Sequence, residues 1–269
     1  MADDVLYSLE DGGVAVLTLN RPERLNAWNG AIEQQLFAYL DQCTDDPDVK
    51  VIVITGAGRG FCAGADMDVL QGIGDRGGQG EPSGRRRRPY DLLRVPKPVI
   101  AAINGPCAGI GMVQALMTDI RFAAAGAKFT TAFVRRGLIA EHGMAWVLPK
   151  LIGPARALDV LLSGRVFLAD EAAEMGIVNA VVEPGELMSH TLAYARDMAV
   201  NCSPSSLAAI KREVWGQLVG LSVEDATAQS DIDMGHSLAG ADFKEGVASF
   251  LEKRPPNFAP LARGWATGD

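Results

Sequence analysis

The sequence predicts an α/β fold, with a body of alternating strands and helices to about residue 195 and a purely helical tail beyond it. Three observations carry this. Val49–Thr55 (VKVIVIT) is a nearly continuous β-branched run, the pattern of a strand buried on both faces of a sheet. Buried-strand patterns are followed by glycine turns and then by helical spacing, which is the signature of strand–helix units. After Glu183 the strand patterns stop and only amphipathic helical ones remain. Composition agrees: 269 residues, 48% hydrophobic and 22% charged, hold ample apolar material for a core and exclude disorder as the main state. A net charge of −8 argues against a partner recruited by bulk positive charge, nucleic acid above all.

Val5–Leu9 and Val14–Leu19 read as strands around the turn Asp11-Gly12-Gly13. Asn20-Arg21-Pro22 breaks the second. Asn29 reads as an N-cap, with Ile32, Leu36, Phe37 and Leu40 following at helical spacing. Gln71–Arg88 holds six glycines, a proline and the run Arg85–Arg88 without apolar periodicity, and predicts a mobile loop whose arginines are either solvated or attract an anionic ligand. Val99–Met117 is an uncharged run of 19 residues, but Asn104, Pro106, Gln114 and three glycines divide it into a strand, a turn and a buried helix rather than a membrane span. Ile120–Ala125 and Val178–Val182 are further strands; Trp146–Ile152, Pro154–Leu162 and Ala169–Met175 are short helices. Ser203-Pro204 starts a helix with Leu207, Ile210, Val214 and Leu218 on one face, and Ser222–Leu238 and Ala241–Leu251 follow as two more. Such a tail builds an oligomer or lies as a lid on its own core.

The N-terminus Met1-Ala2-Asp3-Asp4 is acidic with no apolar run behind it, so a cytoplasmic protein without a signal peptide is expected. The four cysteines lack metal-ligand spacing and read as free thiols; the three histidines are scattered, so no metal site is expected. VIVITGAGRG invites a dinucleotide-binding reading, but the required glycines are replaced by Phe61 and Cys62, and no Tyr-xxx-Lys pair exists. What remains are two glycine-rich turns about 45 residues apart, Phe61–Asp66 and Asn104–Gly111, each after a buried strand. Two backbone N–H groups converging from such turns make an oxyanion hole.

These turns belong to a longer series of motifs: Asn20-Arg21-Pro22…Leu25-Asn26-Ala27, Gly58-Arg59-Gly60-Phe61-Cys62-Ala63-Gly64-Ala65-Asp66, Pro96–Gly105, Ala127-Lys128-Phe129, Gly137-Leu138, Leu148-Pro149-Lys150…Gly153, Ser163-Gly164, Gly176-Ile177-Val178 and Glu245-Gly246-Val247…Phe250. In this order, over almost the whole chain, they resemble the enoyl-CoA hydratase/isomerase, or crotonase, family. The resemblance implies a crotonase-like spiral of ββα repeats in residues 1–195 and a C-terminal helical region, 196–269, that builds a homotrimer or a hexamer of paired trimers. It implies an acyl-CoA substrate, with coenzyme A part of the substrate and no separate cofactor. It also places the thioester oxygen between the N–H groups of Ala65 and Ile110.

The departures bear on the chemistry. The two positions where family hydratases carry glutamates are Val113 and Phe133, neither of which holds or deprotonates water. Glu141 stands where several family isomerases carry a single catalytic acid, among Phe133, Ile139, Ala140, Met144 and Trp146, an apolar wall expected to raise its pKa. The alternative is a surface glutamate capping the next helix. Phe133 and Trp146 are expected to touch substrate. Arg24 matches a family contact to coenzyme A phosphates, and Phe250 and Lys253 resemble contacts at the adenosine end, although exposed residues would look alike. Backbone near Ala63 and Met67 is expected to meet the adenine, with Asp66 fixing the turn. Cys62 has no histidine paired with it and reads as a small buried residue; His142 adjoins Glu141. The expected reaction is isomerisation of a 3-enoyl-CoA to a 2-enoyl-CoA with Glu141 as the single acid/base. The alternatives are hydration of a 2-enoyl-CoA and a non-catalytic acyl-CoA binder.

Overall fold

The β-branched runs assemble into one six-stranded sheet, and the order of its strands fixes where the two glycine turns emerge. The structure, a computed structural model, describes residues 3–69, 71, 87–217, 232, 234–236, 238 and 240–261. Strands β1 (Val5–Glu10) and β2 (Val14–Leu19) pair antiparallel. At their turn Gly13 has φ +81°, and a Cβ there would lie 2.6 Å from the Asp48 carbonyl oxygen, so only glycine fits. The sheet continues through β3 (Val51–Gly56), β4 (Val99–Ile103), β6 (Ile120–Ala124) and β9 (Ala180–Val182), in the order β1-β2-β3-β4-β6-β9, every pair after the first parallel.

Alternating side chains of this sheet feed two separate cores. Leu17, Ile52, Ile54, Ala101 and Ile103 join the larger one, with helix α1 (Gly30–Asp45). Val16, Val51, Val53, Ile100 and Phe122 join the smaller one. Both faces are therefore dry, as the unbroken β-branched runs require. Helix α1 begins where expected, the Asn29 side chain accepting from the Ile32 N–H at 2.8 Å.

A second sheet of three short strands lies apart: β5 (Cys107–Ala108), β7 (Lys128–Thr130) and β8 (Phe167–Leu168). Two or three residues are too few to show a period, so the sequence gives no sign of them. The stretch suspected as a span folds as β4, the glycine turn, β5 and the fully buried helix α2 (Ile110–Leu116). Among the described residues no helix is long and apolar enough to cross a membrane. Helices α3 (Met144–Ile152), α4 (Pro154–Ser163) and α5 (Ala169–Met175) follow.

Helix α6 (Leu187–Asn201) runs unbroken through residue 195 and lays Leu187, Thr191, Ala195 and Ala199 on the sheet, closing the smaller core. Small residues at this spacing let it approach closely. Helix α7 (Pro204–Gln217) starts with Ser203 accepting from the Ser206 N–H. Its inward face is not the apolar one read from the sequence. Ala208 and Lys211 are buried, whereas Ile210 and Val214 are more than half exposed. Helix α8 (Ala241–Glu252) ends the described chain's regular structure. The helix expected over Ser222–Leu238 and most of the Gln71–Arg88 loop lie outside the described residues, apart from isolated positions. Within that loop Arg87 is not simply solvated: it bridges Asp41 at 2.8 Å and Asp91 at 3.1 Å and lies over the Phe37 ring.

Candidate active site

The two glycine turns leave β3 and β4, which are neighbours in the sheet, and main-chain bonds stitch them together. Cys62 N–H donates to the Pro106 carbonyl at 3.0 Å, and Ala108 N–H donates to the Cys62 carbonyl at 2.9 Å. Gly64 and Gly109 carry φ of +104° and +49°. A Cβ on Gly109 would sit 3.7 Å from Gly64 Cα, and one on Gly64 would sit 3.3 Å from the Ala108 carbonyl oxygen. The residues immediately after these glycines are Ala65 and Ile110. Around Ala65, Trp28 N–H donates to the Gly64 carbonyl and Asp66 N–H to the Trp28 carbonyl, so Ala65's own N–H stands outside the ladder. Ile110 N–H is the first of α2 and has no intrahelical partner. Neither N–H donates to any group among the described residues.

Side chains from elsewhere hold the turns in place. The buried Asn26 carboxamide donates to the Ala57 carbonyl at 3.0 Å and the Gly60 carbonyl at 2.8 Å. Asn104 donates to the carbonyls of Gly56 at 2.8 Å and Gly58 at 2.9 Å. Asp66 is buried, pairs with Arg21 at 2.8 Å and accepts from the Asp68 N–H at 3.1 Å. Burial opposes the charged form, but the Arg21 guanidinium and the Asp68 N–H outweigh it and hold the carboxyl below the usual range. A depressed folded-state pKa means that this contribution is present above the unfolded value of about 4 and is lost as pH falls through the folded one. The thermal-midpoint gap between the parent and Asp66→Asn is therefore expected to be full at pH 6 and to close as pH falls below about 4. A gap that widens on acidification would refute the assignment. Ala63 N–H donates to the Leu25 carbonyl. Met67, half-exposed, opens a helical turn, and Arg24 lies exposed beside it, 3.4 Å from Asp68.

Residues 131–143 arch along α2. At one end Gly109 N–H donates to the Thr130 carbonyl at 3.1 Å; at the other a Cβ on Gly143 would lie 3.0 Å from Met117 Cε, just past the helix. Ala132 and His142 hold φ of 58° and 55°, left-handed conformations that side chains seldom adopt. Val113 is fully buried in α2 and Phe133 half-buried in the arch. Glu141 is the one carboxylate in the arch, and α2 has none. Helix α3 is capped by Gly143 without a side-chain bond, so Glu141 is not a helix cap. Its Oε2 lies 3.5 Å from His142 Nε2, and 36% of its side chain remains accessible. The expected wall is incomplete. Met144 is buried and Phe133, Ala140 and Trp146 pack on the core, but Ile139 turns outward, 80% exposed, because the arch bends back where Leu138 N–H bonds to the Phe133 carbonyl. The described residues of one chain thus leave Glu141 partly open.

Phe250 and Lys253 lie at the end of α8, Phe250 83% exposed. Among the described residues, α8 bonds to Ser203 and Ser205 through Asp242 and to the segment behind it, not to the glycine turns. Cys62 is fully buried, which pushes its thiol up to about 12 and removes it as a nucleophile. All four cysteines are free thiols. The residues that sequence reasoning passed over are Asn26 and Asn104. Both stand inside quoted motifs, and a buried asparagine beside a glycine turn is a signal for such a staple.

Comparison with known proteins gives the family and the fold. The family model for enoyl-CoA hydratase/isomerase matches residues 10–260, and the chain belongs to that family. A 1,2-epoxyphenylacetyl-CoA isomerase from Escherichia coli is 38% identical over 95% of this chain and 98% of its own length. A probable enoyl-CoA hydratase from Mycobacterium leprae is 38% identical over 99% of this chain and 93% of its own. The crystal structure of a probable enoyl-CoA hydratase/isomerase from Mycobacterium abscessus superposes with a TM-score of 0.88 at 34% identity, covering 97% of this chain and all of that one. The fold is the crotonase fold, and the protein is an acyl-CoA enzyme of the hydratase/isomerase type.

Proposed function

We propose that the chain moves the double bond of a 3-enoyl-CoA to give the 2-enoyl-CoA. Glu141 removes a proton from C2, the N–H groups of Ala65 and Ile110 hold the resulting dienolate oxygen, and Glu141 returns the proton at C4. One carboxylate serves both ends because a single proton is carried. The observation that carries this reading is the lone, uncapping carboxylate of Glu141 on an arch whose other end rests on the Ile110 turn, with apolar Val113 and Phe133 where hydration would need acids. A relative named as an isomerase of a coenzyme A thioester adds support. Hydration is the second reading, carried by the relatives named as hydratases. The purified protein, given matched 2-enoyl and 3-enoyl thioesters, is expected to turn over the latter. Hydration of 2-enoyl-CoA with 3-enoyl-CoA untouched would overturn the assignment.

The exposed Arg24 and Met67, with the backbone of Ala63, offer the face on which the coenzyme A moiety lies in this reading, Asp66 acting through the turn. The exposed apolar side chains of α7 and α8, Ile210, Val214, Phe243, Val247 and Phe250, would be covered by further copies in a homotrimer or a hexamer. Phe250 and Lys253 then reach coenzyme A only through that assembly.

A further inference from the structure

A cavity of about 470 Å³ opens where the end of α2 meets the start of α3. Tyr90, Leu93, Met117, Trp146 and Trp215 form its walls and Gly216 stands at its edge. Its size suits a ligand of some tens of atoms, far more than a two- or four-carbon acyl group fills. It lies next to the site: Gly143 and Met117, which close against each other at the end of the arch, both line it, and Gly143 is two residues past Glu141.

The walls are held before any ligand arrives. Asp119 accepts from Trp215 Nε1 at 2.9 Å, from the Val99 N–H at 2.7 Å, and pairs with buried Lys211 at 2.7 Å. Lys211 also donates to the carbonyls of Leu92 and Lys97, at 3.3 and 3.1 Å, and so ties the 3-10 turn Pro89–Arg94, which bears Tyr90 and Leu93, to α7. The Arg94 guanidinium lies 5.4 Å from the Tyr90 ring centre, and the Lys150 ammonium 4.9 Å from that of Trp146. Lys211, the buried charge in the wall, is thus fully engaged; Arg94 and Arg212 also line the chamber, beside the rings of Trp146, Trp215 and the partly exposed Tyr90. A flexible chain loses rotamer freedom on filling such a space, whereas a flat ring enters with little to lose and gains contacts with the aromatic walls.

We propose that this chamber receives the acyl group and selects one that ends in a ring, so that the substrate class is an arylacyl-CoA rather than a linear fatty acyl-CoA. This rests on the acyl-CoA site argued above. It is tested by binding, with saturated thioesters that cannot isomerise. By titration calorimetry, 4-phenylbutanoyl-CoA is expected to bind at least about fivefold tighter than decanoyl-CoA, which has the same number of acyl carbons. Trp146→Leu should bring that ratio close to one. A Cβ on Gly216 meets nothing within 4 Å among the described residues, so Gly216→Trp has open space for its first side-chain atom where the residue lines the chamber. It should weaken 4-phenylbutanoyl-CoA at least about tenfold relative to acetyl-CoA, a loss equal to part of one aromatic side chain's burial. Decanoyl-CoA binding as tightly as the aryl ligand would overturn the ring selection, and an unchanged ratio in Gly216→Trp would overturn the chamber itself. Ring-selective binding without turnover of any 3-enoyl-CoA would leave this inference standing and sink the isomerase reading instead.

Discussion

Replacing Glu141 by Gln is expected to lower the turnover of a 3-enoyl-CoA by about 10²–10⁴, the range over which a positioned general acid–base group acts. Gln keeps the size of the side chain and its contacts within the arch but accepts no proton from C2. Binding of a saturated acyl-CoA should change little, because the groups proposed to cradle the thioester are main chain and lie elsewhere in the sequence. The two measurements together locate the effect in the chemical step: kcat falls while the dissociation constant stays. Glu141→Gln turning over within threefold of the parent would remove the carboxylate from the mechanism. A large rise in the dissociation constant would show it to be a binding group. Because Glu141 caps no helix, the variant should melt with the parent, and a lowered melting temperature would point to a structural role.

Ala65→Pro is the second large effect. Proline deletes one N–H and leaves the side chain almost as small as before, so the variant removes one of the two donors proposed for the enolate oxygen. Loss of one such donor costs about 10²–10³ in turnover. Gly64 N-terminal to it and Asp66 beyond it are fixed by the Trp28 ladder and by Arg21, so the turn has support on both sides. The matched control is Ala65→Ser, which keeps the N–H and is expected to retain most of the activity. A folded Ala65→Pro protein as active as the parent would mean that the thioester oxygen sits elsewhere.

The fold was most legible where strands are long and doubly buried. The runs that became β3 and β4 could be read as apolar almost throughout, and the two-core sheet explains why. The two- and three-residue strands β5, β7 and β8 were not legible, because no period fits in so short a segment. The inward face of α7 was misread for a different reason. Apolar spacing favoured Leu207, Ile210 and Val214, but Lys211 is buried by Asp119 and two carbonyls far away in the chain, a pairing that local pattern does not encode. In the site, the glycine turns could be read from the residues alone. The roles proposed for Ala65, Ile110 and Glu141 rest on resemblance. The outward turn of Ile139 depends on how the arch bends, which its composition does not state.

The division of the sheet between two cores has a consequence for how the chain is made. The strands from β1 to β6 are complete by residue 124, but the helix that covers their second face, α6, ends only at residue 201. At about 5–20 residues per second, a ribosome needs several seconds to supply it. During that interval Val16, Val51, Val53, Ile100 and Phe122 form a bare apolar face on a nascent parallel sheet. Parallel pairings separated by long crossovers also form slowly. The newborn chain is therefore most open to aggregation, and to capture by chaperones, in the window before α6 emerges.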